Sequence, residues 1–122
     1  MIERAPGTKV SLQYGEDGAR HATPFGLHHW QPVIDDLDEC AALIMALDAV
    51  VSSPQTIIHI AGALGKTCIV PLSSKPAWRY QISGPMPWYG FVELVRQEGD
   101  DWDSVFKRID RRLADLGNLQ AA

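Results

Sequence analysis

Short runs of apolar and β-branched residues alternate with segments of helical periodicity along most of this chain. Three such runs predict strands at residues 49–52, 68–72 and 91–95, and the first is apolar enough to be buried on both faces of a sheet. Helical patterns follow the first and the last of them. Because this alternation is typical of a parallel sheet flanked by helices, the sequence predicts an α/β fold with a short, mostly parallel sheet.

Local signals predict the other elements. Asp36 or Asp38 can cap a helix, because a carboxylate accepts the free amides of a first turn. Gly65 can end a helix, because glycine tolerates a left-handed backbone. Pro71 marks the end of the strand at residues 68–72.

The remaining elements are strands at residues 10–14 and 32–34, a helix at 38–47, a helix that begins at Ser53 and Pro54 and ends at Gly65, and a last helix capped by Asp100 or Asp101.

A long connection at residues 73–90 carries Trp78, Trp88 and Tyr89 among several prolines and glycines. A connection of this length in a compact domain is usually functional. Two interpretations stay open at this point. The aromatic side chains cover an edge of the sheet, or they form the wall of a ligand cleft or a docking surface.

The composition indicates one globular domain over residues 1–122. The net charge of −4 argues against a nucleic-acid partner, since surfaces that bind nucleic acids are basic. No run of about 18 apolar residues predicts a membrane span, and the first residues do not resemble a signal peptide. Cys40 and Cys68 lie in apolar runs and are interpreted as reduced core thiols, with a disulfide or a metal pair as the alternative. We therefore expect a cytoplasmic protein.

The junction between residues 49–52 and the following helix is the most informative stretch for chemistry. Ser53 suits the helix cap, and Pro54 suits the first helical position because it has no N–H to leave unpaired. The amides of Gln55 and Thr56 would then be free at the carboxyl end of the parallel strands, where α/β sheets bind ligands. Free amides and the helix dipole attract anions, so the junction is a candidate phosphate site, although many such junctions bind nothing.

His59 lies one turn beyond Gln55, on the same face of a helix whose other positions are mostly apolar. Its spacing leaves two interpretations open. The imidazole reaches back to a bound phosphate or sugar, or it is a core histidine whose polar atoms are satisfied within the protein.

Other familiar motifs fail on inspection. Gly65-Lys66-Thr67 is not a phosphate-binding loop, because the first glycine of that motif would fall at Ile60. His21, His28 and His29 have no partners at metal-ligand spacing, so no metal site is expected. A G-x-S-x-G elbow is also absent, so the sequence does not support a hydrolase.

A His-x-Ala-Gly-Ala-Leu-Gly motif runs from His59 to Gly65, and the pairs Trp88-Tyr89 and Arg96-Gln97 follow it. With these features the sequence resembles the C-terminal part of glycosyltransferase family nine, the heptosyltransferase-like enzymes. The version fused to tetratricopeptide repeats in bacterial proteins is the most similar. The resemblance covers nearly the whole chain, and its further segments are residues 10–15, 36–48 and 101–102.

The resemblance implies half of a GT-B-type glycosyltransferase, with a Rossmann-like three-layer fold. Enzymes of this family transfer a sugar from a nucleotide diphosphate donor, which would be the substrate here, without a cofactor or a metal. The resemblance places Ser53, Gln55, Thr56 and His59 at the phosphates or the sugar of the donor, Glu16 or Asp17 at the ribose hydroxyls, and Leu37 near the base.

The sequence departs from this family in two respects. Pro54-Gln55-Thr56 stands where the family often has Asp-Thr-Gly or Asp-Thr-Ala, so an acidic contact to the sugar is missing. The chain also corresponds to part of the donor lobe alone, so an acceptor lobe or a tetratricopeptide-repeat region lies in another chain or is missing. We therefore expect no turnover by the isolated chain. The alternative is a non-catalytic interaction module that keeps the α/β fold without the chemistry.

Overall fold

The computed structural model describes residues 2–121 of the protein, and the side chains of residues 2–119. Three strands and five α-helices form the regular structure of this part of the chain, with short 3₁₀ turns at Ile2–Arg4, Thr23–Phe25 and Trp78–Tyr80. The elements are, in chain order, α1 (Gly18–Ala22), α2 (Gln31–Asp35), α3 (Leu37–Ala46), β1 (Val50–Val51), α4 (Thr56–Ala63), β2 (Cys68–Leu72), β3 (Val92–Arg96) and α5 (Trp102–Ala121).

β2 lies at the centre of the sheet, between β1 and β3, and both pairs of strands are parallel. Cys68 of β2 pairs with Val50 on one side and with Val92 on the other. The helix α4 connects β1 to β2, and α5 follows β3. The chain therefore has an α/β fold with a short parallel sheet and helices in layers, which confirms the predicted fold class and is consistent with a Rossmann-like architecture.

Two apolar clusters lie on opposite faces of the sheet, because successive residues of β2 divide between them. On one face, Ile44 of α3 and Ile58 of α4 are fully buried. On the other face, Val105 and Ile109 of α5 pack against Ile69. Burial of an aliphatic side chain of this kind contributes about 1.5–3 kcal/mol. These contacts hold the three layers together.

β2 has the predicted bounds, residues 68–72, and one residue of the strand follows Pro71. The amide of Ser52 donates to the carbonyl of Ile69 at 3.1 Å. The main-chain N–H and C=O of Ile69, and of every second residue of β2 from it, therefore point towards β1. The nitrogen of Pro71 faces the same way and has no hydrogen to donate. This missing donor ends the pairing of β1 after Val51, whereas β3 stays paired to the end of β2.

Residues 10–14 form no strand, contrary to the prediction. Val10 makes an isolated parallel bridge to His28, in which the amide of Ser11 donates to the His28 carbonyl at 2.8 Å. A short alternating pattern fits any extended segment with one covered face. The pattern alone therefore does not distinguish a strand of the sheet from an isolated extended segment.

The strand predicted at residues 32–34 is also wrong, because these residues lie in α2. Pro32 occupies the first turn of α2, where its missing N–H and fixed φ suit a helix. α3 confirms the helix predicted next, and Asp36 is its cap. The Asp36 carboxylate accepts from the amides of Asp38 and Glu39, each at 3.0 Å.

Residues 73–91 connect β2 to β3 without an α-helix, and we call them the crossover segment. Tyr80, which is 2% exposed, and Met86 anchor it in the apolar cluster on the α4 face of the sheet. The guanidinium of Arg96 donates to the main-chain carbonyls of Tyr80, Gln81 and Gly84 at 2.6–3.1 Å. The segment thus takes the place that a helix has in most parallel crossovers, and a β3 side chain holds its backbone.

Candidate functional site

The junction between β1 and α4 differs in detail from its prediction. α4 begins at Thr56, so Gln55 is the N-cap residue, and the expectation that Ser53 caps the helix and Pro54 opens it is wrong. The reason is a local network around Ser52. Its hydroxyl donates to the carbonyl of Ser53 at 2.9 Å and accepts from the side-chain amide of Gln55 at 2.9 Å. These bonds keep residues 52–55 outside the helix, so that α4 begins at Thr56.

The first turn of α4 is open at its amino end. No side chain caps it, and its first turn carries no acidic residue. The carbonyl of Gln55 accepts from the amide of Ile58 at 3.1 Å, which is the first bond of the helix. The earlier amides, those of Thr56 and Ile57, therefore form the positive end of α4, at the carboxyl edge of the sheet.

His59 lies in the second turn of α4 and is half-buried. Its Nδ1 is 3.2 Å from the hydroxyl of Tyr89, and its ring packs edge-on against that side chain with centroids 5.8 Å apart. Trp88 lies tilted against the same imidazole at 6.4 Å. His59 is thus neither a fully enclosed core residue nor free, because the crossover segment holds one side of its ring.

His59, Trp78, Trp88 and Tyr89 form a continuous group that we call the aromatic cluster. Trp78 meets Trp88 edge-on at 6.1 Å, and these two indoles are 80% and 53% exposed. Tyr89 lies directly on Gly62 of α4, where an added Cβ would be 2.4 Å from the Tyr89 ring. The absence of a side chain at Gly62 therefore allows the cluster to approach α4 so closely.

The other predicted donor-binding residues lie at the starts of other elements. Leu37 is the first residue of α3 and is 67% exposed. The helix that it begins packs against α4. Asp17 precedes α1 and pairs with Arg20 at 2.9 Å, while Glu16 is exposed in the adjoining turn. In the described part of the chain, no hydrogen bond or ion pair joins these residues to α4.

A cavity of about 380 Å³ lies between β1 and the extended residues 8–13. Of the seven predicted donor-binding residues that the structure describes, Gln55 lines it and the other six do not. The sequence did not predict this cavity, because residues 10–14 were expected to pair within the sheet. Its walls are mostly apolar, and the side chains that contribute include Val10, Leu12, Leu27, Leu47, Val50 and Ile57.

The buried thiols have no part in the chemistry of this edge. Burial raises the pKa of Cys68 to about 12, and it raises the pKa of Cys40 as well. Both side chains therefore stay protonated at neutral pH and are poor nucleophiles. Burial also raises the pKa of the Tyr80 hydroxyl. These groups belong to the apolar core, as the interpretation of the cysteines expected.

Two other classes of site are not seen in the part of the chain that the structure describes. No three histidine, cysteine or acidic side chains between residues 2 and 119 come together as metal ligands would. Of the helices within residues 2–121, none combines the length and the apolar character that crossing a bilayer requires.

This chain is similar to part of a longer bacterial protein. The chain is 35% identical over 115 residues to Protein FlbA of Caulobacter vibrioides. The match covers 88% of this chain and 19% of FlbA, so the chain spans about a fifth of the length of that relative. No family model matches the sequence.

Proposed function

We propose that this chain binds a nucleoside diphosphate sugar, as the donor lobe of a glycosyltransferase related to family nine, with the donor's diphosphate at the start of α4. The observation that carries the proposal is the uncapped first turn of α4 at the carboxyl edge of a parallel sheet. Sugar transfer would also need an acceptor-binding lobe, from another chain or from another part of a longer polypeptide.

The amides of Thr56 and Ile57 supply the chemistry of this proposal. Negative charge grows on the diphosphate as the bond between sugar and phosphate breaks, and preorganised N–H donors stabilise that charge. In enzymes that stabilise a growing negative charge with N–H groups, the loss of one such hydrogen-bond donor costs about 2.7–4 kcal/mol of transition-state stabilisation. The helix start therefore promotes departure of the nucleotide, while activation of the acceptor hydroxyl belongs to the other lobe.

Gln55 and His59 support the proposal from neighbouring positions. Ser52 fixes the side chain of Gln55 beside the first turn of α4. Tyr89 contacts Nδ1 of His59, so Nε2 is the nitrogen that we assign to the donor's phosphate or sugar. Ser53 and Thr56 are exposed at the same turn. The assignment of Glu16 or Asp17 to the ribose stays a prediction.

A second candidate function is a non-catalytic interaction module. The observation that favours it is the exposure of large apolar side chains on the crossover segment, with Trp78 and Ile82 80% and 86% exposed. Exposed apolar groups of this kind often mark a protein-binding surface. Under this alternative the first turn of α4 binds no nucleotide.

Replacement of Gln55 by aspartate tests the diphosphate site directly. Aspartate is a strong helix cap, so Gln55→Asp should leave the melting temperature unchanged or raise it, while its charge occupies and repels the anion site. We expect the Kd for UDP, GDP or ADP, whichever binds the unmodified chain best, to rise at least tenfold when measured by titration calorimetry.

Lys107→Ala on α5 is the matched control, because it removes an exposed charge on the opposite face of the sheet and should leave the Kd unchanged. Failure of all three nucleotides to bind the unmodified chain at millimolar concentration would favour the interaction module. Equal affinities of the Gln55→Asp variant and the unmodified chain would contradict the placement of the diphosphate.

A further inference from the structure

The cavity beside β1 exposes a main-chain hydrogen-bonding pair on one wall. The amides of Val50 and Ser52 bond to β2 at 2.9 and 3.1 Å, so the N–H and C=O of Val51 between them point away from β2. β1 is an edge strand, and Val51 lines the cavity. Val51 therefore offers a donor and an acceptor side by side to anything that enters.

The opposite wall of the cavity also carries a main-chain N–H and C=O, those of Val10. In the bridge to His28, the carbonyl of Lys9 accepts from the His28 amide at 3.0 Å and the amide of Ser11 donates to the His28 carbonyl. The N–H and C=O of Val10 therefore point away from His28. Lys9, Val10 and Ser11 all line the cavity. Two extended segments thus border it with polar edges, while apolar side chains supply much of the remaining wall.

The size and lining of the cavity suit a small planar ligand. Its volume of about 380 Å³ falls within the range of small-molecule pockets, which is about 300–1,000 Å³. Such pockets are mainly apolar with a few placed polar groups, as here. An added β-strand fits less well, since β1 has only two residues with which it could pair.

The cavity is continuous with the start of α4 through shared residues. Ser52, Gln55 and Ile57 line it, and the amide of Ile57 belongs to the open first turn of that helix. A molecule with a planar apolar part and an anionic part can therefore occupy both places at once. Nucleotides combine these two parts.

We propose that this cavity receives the heterocyclic base of the nucleotide, whose hydrogen-bonding edge pairs with the N–H and C=O of Val51. The inference rests on the proposed function for the class of ligand. It places the base beside β1, whereas the family resemblance implies a position near Leu37, which does not line the cavity. A base whose edge carries an acceptor next to a donor matches Val51, as the edges of adenine and of the pyrimidines do.

A variant that fills the cavity tests the proposal. Ala49 lines the cavity, so Ala49→Leu should fill part of it while leaving the main chain of β1 in place. We expect the Kd for UDP, or for ADP if it binds better, to rise at least tenfold, with no change in the Kd for inorganic diphosphate. Ala46→Leu, at an exposed position of α3, adds the same atoms elsewhere and should change neither constant.

Amide chemical shifts of the unmodified chain give a second readout that does not depend on the folding of a variant. Uridine or adenosine, added without phosphate, should move the amide signal of Val51 more than that of Lys107. An unmoved Val51 signal, or an unaltered affinity of a folded Ala49→Leu variant for the nucleotide, would overturn the proposal.

The two proposals fail in different ways. If the diphosphate site at α4 is wrong, inorganic diphosphate does not bind while nucleosides still shift Val51. If the base site is wrong, diphosphate binds and the Gln55→Asp substitution weakens nucleotide binding, but Val51 does not respond to nucleosides.

Discussion

At the scale of single residues, Gly62 determines how closely the crossover segment approaches α4. A Cβ at this position would lie 2.4–2.8 Å from three atoms of the Tyr89 ring. Those atoms belong to the inner part of a ring that also contacts His59, so a small rotation does not relieve the overlap. The glycine thus connects the packing of α4 with the position of the imidazole.

We predict that Gly62→Ala lowers the free energy of unfolding by about 1–2 kcal/mol. Overpacking costs about 1–3 kcal/mol, and the better helix propensity of alanine offsets up to about 1 kcal/mol of it. Urea denaturation followed by fluorescence measures the change. Gly90→Ala in the crossover segment is the control, because a Cβ there meets nothing within 4 Å. Equal stabilities of the two variants would contradict the close packing of Tyr89.

The sequence predicted part of the site at this scale. It indicated Gln55, Thr56 and His59 because the helix that contains them follows a buried strand, and the structure places them on α4 or at its cap. It did not predict the contact between His59 and Tyr89, since the two residues are 30 positions apart in the chain. Such a contact depends on the path of the crossover segment, which has no periodic pattern to read.

At the scale of elements, α3 depends on its cap. The Asp36 carboxylate accepts two amides of the first turn, each at 3.0 Å. We predict that Asp36→Ala lowers the free energy of unfolding by about 1 kcal/mol, because the two amides lose their acceptor. Asp36→Asn keeps a capping oxygen and should cost less. Thermal denaturation compares the three proteins, and an equal loss in both variants would argue against capping as the cause.

The predicted elements were correct where burial enforces them. Residues 68–72 form β2, and α3 and α5 carry apolar residues at helical spacing. Errors arose where main-chain bonding decided the outcome. The start of α4 moved by two residues because of the Ser52 network, and β1 stops pairing after Val51 because Pro71 has no N–H to donate. Hydrogen bonds of this kind leave no trace in hydrophobic periodicity.

At the scale of the whole molecule, both thiols are enclosed when the chain is folded. Burial raises the pKa of Cys68 from its usual value of 9.0 to about 12. An unfolded chain would release this proton at a lower pH than the folded chain does. Protonation therefore favours the folded state below pH 9, and this advantage is lost as the pH rises towards 12.

We predict that the free energy of unfolding falls between pH 9 and pH 10.5 by up to about 1.4 kcal/mol per pH unit through Cys68. Urea denaturation at pH 7.5, 9 and 10.5 measures the slope. Cys68→Ala has no thiol to ionise at this position, so its stability should decline less steeply over the same range. Parallel slopes for the two proteins would contradict the contribution of the thiol.

The crossover segment has a consequence for the order in which the molecule folds. Helical crossovers carry their own backbone hydrogen bonds, whereas Arg96 holds the carbonyls of this one from the end of β3. We expect the segment to become ordered after β3 has joined β2, because the guanidinium is then in place to hold its carbonyls. In a refolding experiment we therefore expect the indoles of Trp78 and Trp88 to reach their native fluorescence after the sheet has assembled.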